Sequence, residues 1–137
     1  MGRGAETTPV SIRYVFTAAA PSPAGHYSQA TVHGSVVYVA GQLPLDPVTG
    51  ELVPGGIEEQ TTRTLANVRA VLEMSGSDLA HVLKMNVYVS DISLWGVVNA
   101  TYAAIMGESR PARAVIPTRE LKPGCLIEID CIAALRE

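Results

Sequence analysis

Two periodicities run along this chain, and they divide it into eight elements. Apolar positions alternate with polar ones in short runs, as one face of a β-strand requires, or recur every three to four residues, as a helix requires. Residues 11–17 alternate enough for a first strand, and residues 29–32 and 36–40 read as two more, joined as a hairpin at His33-Gly34-Ser35. Leu83, Met85, Val87 and Val89 alternate with Lys84, Asn86 and Tyr88, which predicts a half-buried strand. Strands over 112–116 and 125–134 follow, separated by a turn at Lys122-Pro123-Gly124. The clearest helix covers 57–74. Leu65, Val68 and Leu72 fall at i, i+3 and i+7 with Val71 beside them, while Glu58, Glu59, Arg63 and Arg69 occupy other faces. Its acidic first turn suits the helix dipole, and Gly76 is a stop. A second helix, capped by Asp91 or Ser93, carries the stripe Trp95, Val98, Tyr102 and Ile105 and ends at Gly107. The stretches 19–25 and 42–56, rich in Pro and Gly, are connections. The order of three strands, helix, strand, helix and two strands is α+β or mixed α/β, with two helices packed on one face of a sheet. Residues 1–10 are small and polar and are expected to fray ahead of a single domain over 11–137.

Composition narrows the function classes. A chain of 137 residues, 47% apolar and 17% charged, is one ordinary globular domain. A net charge of −3 and a pI near 5.6 argue against a nucleic-acid or anionic-membrane partner. No apolar run approaches the roughly 20 residues of a membrane span. The N-terminal residues lack the apolar stretch of a signal peptide, so the expected location is the cytoplasm. Cys125 and Cys131, six residues apart in one predicted strand, would have Cα atoms ~20 Å apart, beyond disulfide reach. Both are expected as buried thiols. His26, His33 and His81 show no metal-ligand spacing, so no metal is implied.

The chemistry-bearing residues are two charges inside strands. Arg113 and Glu128 each interrupt an apolar run, where an ionised group is costly unless paired or used. Placed on successive strands, they form either a plain ion pair or a small polar site. In the second case the guanidinium would grip a planar anion and the carboxylate would handle a water or a proton. In the last strand Cys125, Ile127, Ile129 and Cys131 share a wholly apolar face that should meet the helices. Leu126, Glu128, Asp130 and Ile132 share the other. Arg113 is expected there too, with Val115. A half-apolar sheet face without helices predicts contact with another subunit.

Several segments in sequence then point to one family. The run Pro111-Ala112-Arg113-Ala114-Val115-Ile116, then Leu121, then Ile127-Glu128-Ile129 resembles the signature of the RidA/YjgF reactive-intermediate (enamine/imine) deaminases. Gly25-His26-Tyr27-Ser28-Gln29-Ala30, residues 37–44 with 46–51, and Val98-Asn99-Ala100-Thr101-Tyr102 are similar to that family's other segments, so the likeness covers about 16–133. It implies a chorismate-mutase-like α+β fold (Bacillus-type), with two helices on one face of a mixed six-stranded sheet. It also implies a homotrimer with clefts between subunits. By the same likeness Arg113 grips the substrate carboxylate and Glu128 positions the water that hydrolyses a 2-imino acid to a 2-keto acid and ammonia. Tyr27, Gly41 and Asn99 would line the cleft, and no metal or cofactor is required. Three residues depart from the family pattern: His26 for Pro, Ala40 for Ser at the cleft rim, and Val115 for a pocket Cys. They leave the Arg–Glu pair intact and imply an altered substrate range.

Simpler roles stand beside these. Tyr27 could pack its ring at a loop–strand junction, and Asn99 could bond a neighbouring backbone. Gly41 could answer a backbone requirement, and Trp95 with Tyr102 are expected to be helix-stripe core. Other functions compatible with the family likeness are a non-catalytic sensor of small carboxylates and a specialised biosynthetic member. Retention of Glu128 favours the enzyme. RNA cleavage gains no support without a basic, aromatic groove.

Overall fold

The computed structural model describes residues 10–137, so the expected frayed segment lies, Val10 apart, outside the described residues. The strands are β1 Arg13–Val15, β2 Ala30–His33, β3 Val36–Gln42, β4 Val82–Val89, β5 Ala112–Pro117 and β6 Ile127–Ala134. The helices are α1 Ile57–Ser75 and α2 Trp95–Met106. Gly56 caps α1, and the Glu59 carboxylate reaches back to accept its N–H at 2.8 Å. Gly76 ends α1 in the left-handed region at φ 95°. Asp91 accepts the Ser93 N–H at 2.8 Å in a single 3-10 turn that leads into α2.

The sheet runs in the order β1-β2-β3-β6-β4-β5. Every neighbouring pair is antiparallel except β4–β5, which is parallel because α2 carries the chain back between them. Cross-strand partners define two faces. The row Val39–Cys131–Met85–Arg113 lies on the helix side, and Tyr14–Thr31–Tyr38–Ile132–Lys84–Ala112 lies on the other. Leu65, Val68, Val71 and Leu72 of α1 and Val98 of α2 pack the helix side against Val37, Met85, Val87 and Ile129. All nine are at most 1% exposed, which makes this the core.

Four expectations need adjusting. The β1 ladder stops at Val15 because the Gln29 carboxamide takes both backbone groups of Thr17: Oε1 accepts its N–H at 2.6 Å, and Nε2 donates to its carbonyl at 3.0 Å. Leu83 is exposed, because an irregularity between Val82 and Lys84 turns Val82 inward instead. In α2 the buried stripe is Val98, Tyr102 and Met106, and Ile105 is 36% exposed. Cys125 lies in the loop ahead of β6; it and Cys131 are buried free thiols.

Two further buried carboxamides fasten loops to α1. Asn67 donates to the carbonyls of Leu43 and Leu45, and Gln60 bridges Gly124 and Leu126. Among the described residues no helix is long and apolar enough to cross a membrane.

Candidate active site

The residues singled out from the sequence fall into two groups on opposite faces of the sheet. Arg113 pairs with Met85, whose side chain is fully buried under the helices, so the arginine emerges on the helix side at the β5 edge. There its guanidinium carbon sits 4.7 Å from the Trp95 ring centroid and 4.8 Å from that of Tyr102. Its Nη1 donates to Asn99 Oδ1 at 3.2 Å. Val115, two residues on, shares this face and packs against the core. A recess of about 430 Å³ opens beside the guanidinium, lined by Asn99, Tyr102, Met106, Ser109, Arg110 and Arg113 among others. Burial pushes the Tyr102 hydroxyl up, and the neighbouring Arg113 opposes it.

Glu128 pairs with Tyr88 and points to the helix-free side. The strand beside it makes room. Register slips between Val39 and Gln42, and Gly41 sits in that irregular stretch against the carboxylate. A Cβ on Gly41 would lie 3.0 Å from Glu128 Cδ, so a side chain there would displace the carboxylate. Burial pushes the Glu128 pKa up, and the Asp130 charge adds to the effect. Asp130 itself accepts from Asn86 Nδ2 at 2.8 Å and from the Tyr88 hydroxyl at 2.9 Å. Ala40, next to Gly41, joins Tyr27, His26, Tyr14, Thr31 and Tyr38 around an open groove of about 840 Å³. Tyr27 is 52% exposed, and its hydroxyl accepts the Ala24 N–H at 3.2 Å.

The expectation of an Arg113–Glu128 pair on neighbouring strands of the helix-free face is therefore corrected. β4 lies between β5 and β6, and its parallel pairing with β5 puts Arg113 on the face opposite Glu128. Within one chain the plain ion pair is excluded with it, because Arg113 is held by rings and an amide on the opposite face. Tyr27, Ala40, Gly41 and Glu128 gather on one side, and Asn99, Arg113 and Val115 on the other. Trp95 and Tyr102, expected only as core, cradle the arginine. Asn86 and Tyr88, which hold Asp130, were legible only as the polar half of an alternation. Neither thiol is a ready nucleophile, since burial raises both and pushes Cys131 up to about 12. Among the described residues no three His, Cys, Asp or Glu side chains gather in a way that could hold a metal ion.

The chemistry of each half is distinct. The first offers a flat, permanently charged, oriented donor for a planar anion. The second offers a half-buried carboxylate with raised proton affinity, suited to taking a proton from water.

Comparison with known proteins supplies context. Residues 17–135 match the family described as endoribonuclease L-PSP. A RutC family protein of Pyrococcus abyssi is 44% identical over 119 residues, covering 87% of this chain and 94% of the relative. A Capra hircus protein named 2-iminobutanoate/2-iminopropanoate deaminase is 39% identical over 121 residues, covering 88% of each. The crystal structure of the YjgF gene product from E. coli superposes with a TM-score of 0.85 at 34% identity, covering 90% of this chain and 99% of that one.

Proposed function

We propose that this chain, which belongs to the endoribonuclease L-PSP family that includes the YjgF and RidA proteins, hydrolyses 2-imino acids to 2-keto acids and ammonia. The observation that carries this reading is that the chain presents both an oriented guanidinium and a carboxylate of raised proton affinity. Arg113 takes the substrate carboxylate through two parallel hydrogen bonds, which fixes the plane of the adjoining C=N carbon. Glu128 accepts a proton from the attacking water as the C–O bond forms. It passes that proton to the amino nitrogen of the carbinolamine formed from the protonated imine. It then takes the hydroxyl proton as the C=O bond forms and the C–N bond breaks, and ammonia leaves. The names of the mammalian relatives support this substrate class.

One chain cannot bring both halves to a single substrate, since they face opposite sides of one sheet. The working cleft therefore joins Arg113, Asn99 and Val115 of one subunit to Glu128, Gly41, Ala40 and Tyr27 of another. A homotrimer of chorismate-mutase-like subunits supplies three such clefts by cyclic symmetry. The helix-free face has the exposed apolar surface this contact needs: Tyr14 is 70% and Tyr38 47% exposed. Ala40 puts a methyl group on the groove of the Glu128 half, which suits imino acids with apolar side chains. A cytoplasmic setting, where pyridoxal-phosphate enzymes release such imines, fits this chemistry.

The test is a coupled assay in which a pyridoxal-phosphate enzyme generates a panel of imino acids while keto-acid appearance is followed. Acceleration by the parent, lost in Glu128→Gln while pyruvate binding by calorimetry persists, is expected. Pyruvate binding without acceleration for any imine would replace the enzyme with a sensor.

A further inference from the structure

We infer that Asp130 is a positioning residue that sets the proton affinity of Glu128 from the same strand face, and that Asn86 and Tyr88 hold it in place to do so. This rests on the assignment of Glu128 as the base. Glu128 and Asp130 are two residues apart on β6, so their side chains emerge on one face with Cα atoms ~6.6 Å apart. A second negative charge at that spacing raises the cost of ionising Glu128, yet no ligand-gripping role needs a second carboxylate here. Asp130 is not left to swing away from its neighbour. Asn86 Nδ2 donates to Oδ1 at 2.8 Å and the Tyr88 hydroxyl to Oδ2 at 2.9 Å, which occupies both oxygens and fixes their direction.

Among the described residues of its own subunit no compensating cation acts on Glu128, and the neighbouring subunit's Arg113, brought to the cleft proposed above, is taken up by the substrate carboxylate. From β4 Glu128 meets Tyr88, and from β3 the bare backbone at Gly41. Cys125 in the preceding loop feels the Glu128 charge and is itself pushed up, chiefly by burial. Lys84, on the same face of β4, stands opposite Ile132, four register pairs along from the Tyr88–Glu128 pair. Arg113 is on the other side of the sheet. Burial and Asp130 both push Glu128 up, and the Tyr88 hydroxyl is raised by its bond to Asp130 and by burial. A base that must be deprotonated yet strong gains from both effects.

The test follows the Glu128 carboxyl by carbon-13 NMR across pH in the full-length parent, Asp130→Asn and Tyr88→Phe. Imine hydrolysis is measured beside it as the variant-to-parent ratio at each pH, which cancels titration of the substrate. In Asp130→Asn the Glu128 midpoint moves to lower pH. The activity ratio, about two- to tenfold below one on the plateau, rises as pH falls through the acid limb. Tyr88→Phe keeps the charge and the ring but frees one Asp130 oxygen to turn toward water, so the midpoint moves less and in the same direction. It carries the test if Asp130→Asn does not fold. An unmoved Glu128 midpoint in the folded variants overturns the inference, as does an activity ratio that is flat across pH, because a purely structural Asp130 would scale all rates alike. A moved midpoint with no hydrolysis in the parent upholds the electrostatic role and overturns the deaminase assignment alone.

Discussion

Arg113 and Glu128 are both charges in a largely apolar sheet, and the fold keeps them by opposite means. Arg113 is exposed, stacked between Trp95 and Tyr102 at the free edge of β5. A guanidinium cannot lose its charge in a protein, so the rings fix its plane and nothing about its protonation. Glu128 is half-buried between β3 and β4, against a glycine and two residues from another carboxylate, so its surroundings act on its charge state itself. The half proposed to grip the substrate is built at the surface. The half proposed to react is built into the sheet, where a methyl group on Gly41 would meet the carboxylate.

The largest effect expected from this division comes from breaking the halves separately. Arg113→Ala and Glu128→Gln should each lose about 10²–10⁴-fold in turnover. Unfolded together and refolded, the two inactive proteins should regain a substantial fraction of parent activity. An oligomer that mixes them contains clefts with an intact Arg113 from one chain and an intact Glu128 from the other. A refolded mixture no more active than its components, with mixed assembly shown by mass spectrometry, would mean that one chain supplies both groups.

Smaller effects separate tolerance from intolerance. Gly41→Ala puts a Cβ where the Glu128 carboxylate lies, and a displaced base should lower turnover roughly 10²-fold with little change in pyruvate binding. Trp95→Leu removes one ring from the arginine but keeps apolar volume. An exposed cation–π contact is worth ~0.5–1 kcal/mol, so pyruvate binding should weaken roughly two- to fivefold while the rate at saturation holds. If Trp95→Leu damaged the rate at saturation and Gly41→Ala did not, the division of labour between the halves would be reversed.

The same contrast explains what the sequence disclosed. On β6 the positions 127, 129, 131 and 133 are all apolar and 128 and 130 are acidic, so strand parity alone assigns Glu128 to the helix-free side. On β5 both parities contain apolar residues, and the face of Arg113 depends on parallel pairing with β4, which no local pattern encodes. The contact between Gly41 and Glu128 is of the same kind, since it exists only once β3 has slipped against β6. Gln29, Gln60 and Asn67 read as ordinary polar residues although all three are buried staples of loops. Periodicity recovered both helices and the existence of all six strands, because each reflects local burial. Register and handover between faces are long-range properties, and there the sequence was silent.

The smallest expected effect concerns stability, and it runs against the catalytic one. Burial and Asp130 raise the Glu128 pKa in the folded protein above its value in the unfolded chain. The folded state therefore binds more protons than the unfolded state between those two values, and stability falls as pH rises through that window. Above the folded pKa the ionised carboxylate carries its full cost; below the unfolded pKa it carries none. Glu128→Gln cannot ionise, so at pH 8 its thermal midpoint should exceed the parent's, by roughly 1–3 °C for a group that remains partly solvated. Lowering the pH should erase the advantage, with the two melting curves converging as Glu128 takes up its proton. Arg113→Gln offers the control: its exposed guanidinium stays charged throughout, so its melting difference from the parent should show no such convergence. A Glu128→Gln variant less stable than the parent at pH 8, or equally displaced from it at every pH, would mean that the carboxylate supports the sheet. Its burial would then be packing, with no charge held at a cost to the fold.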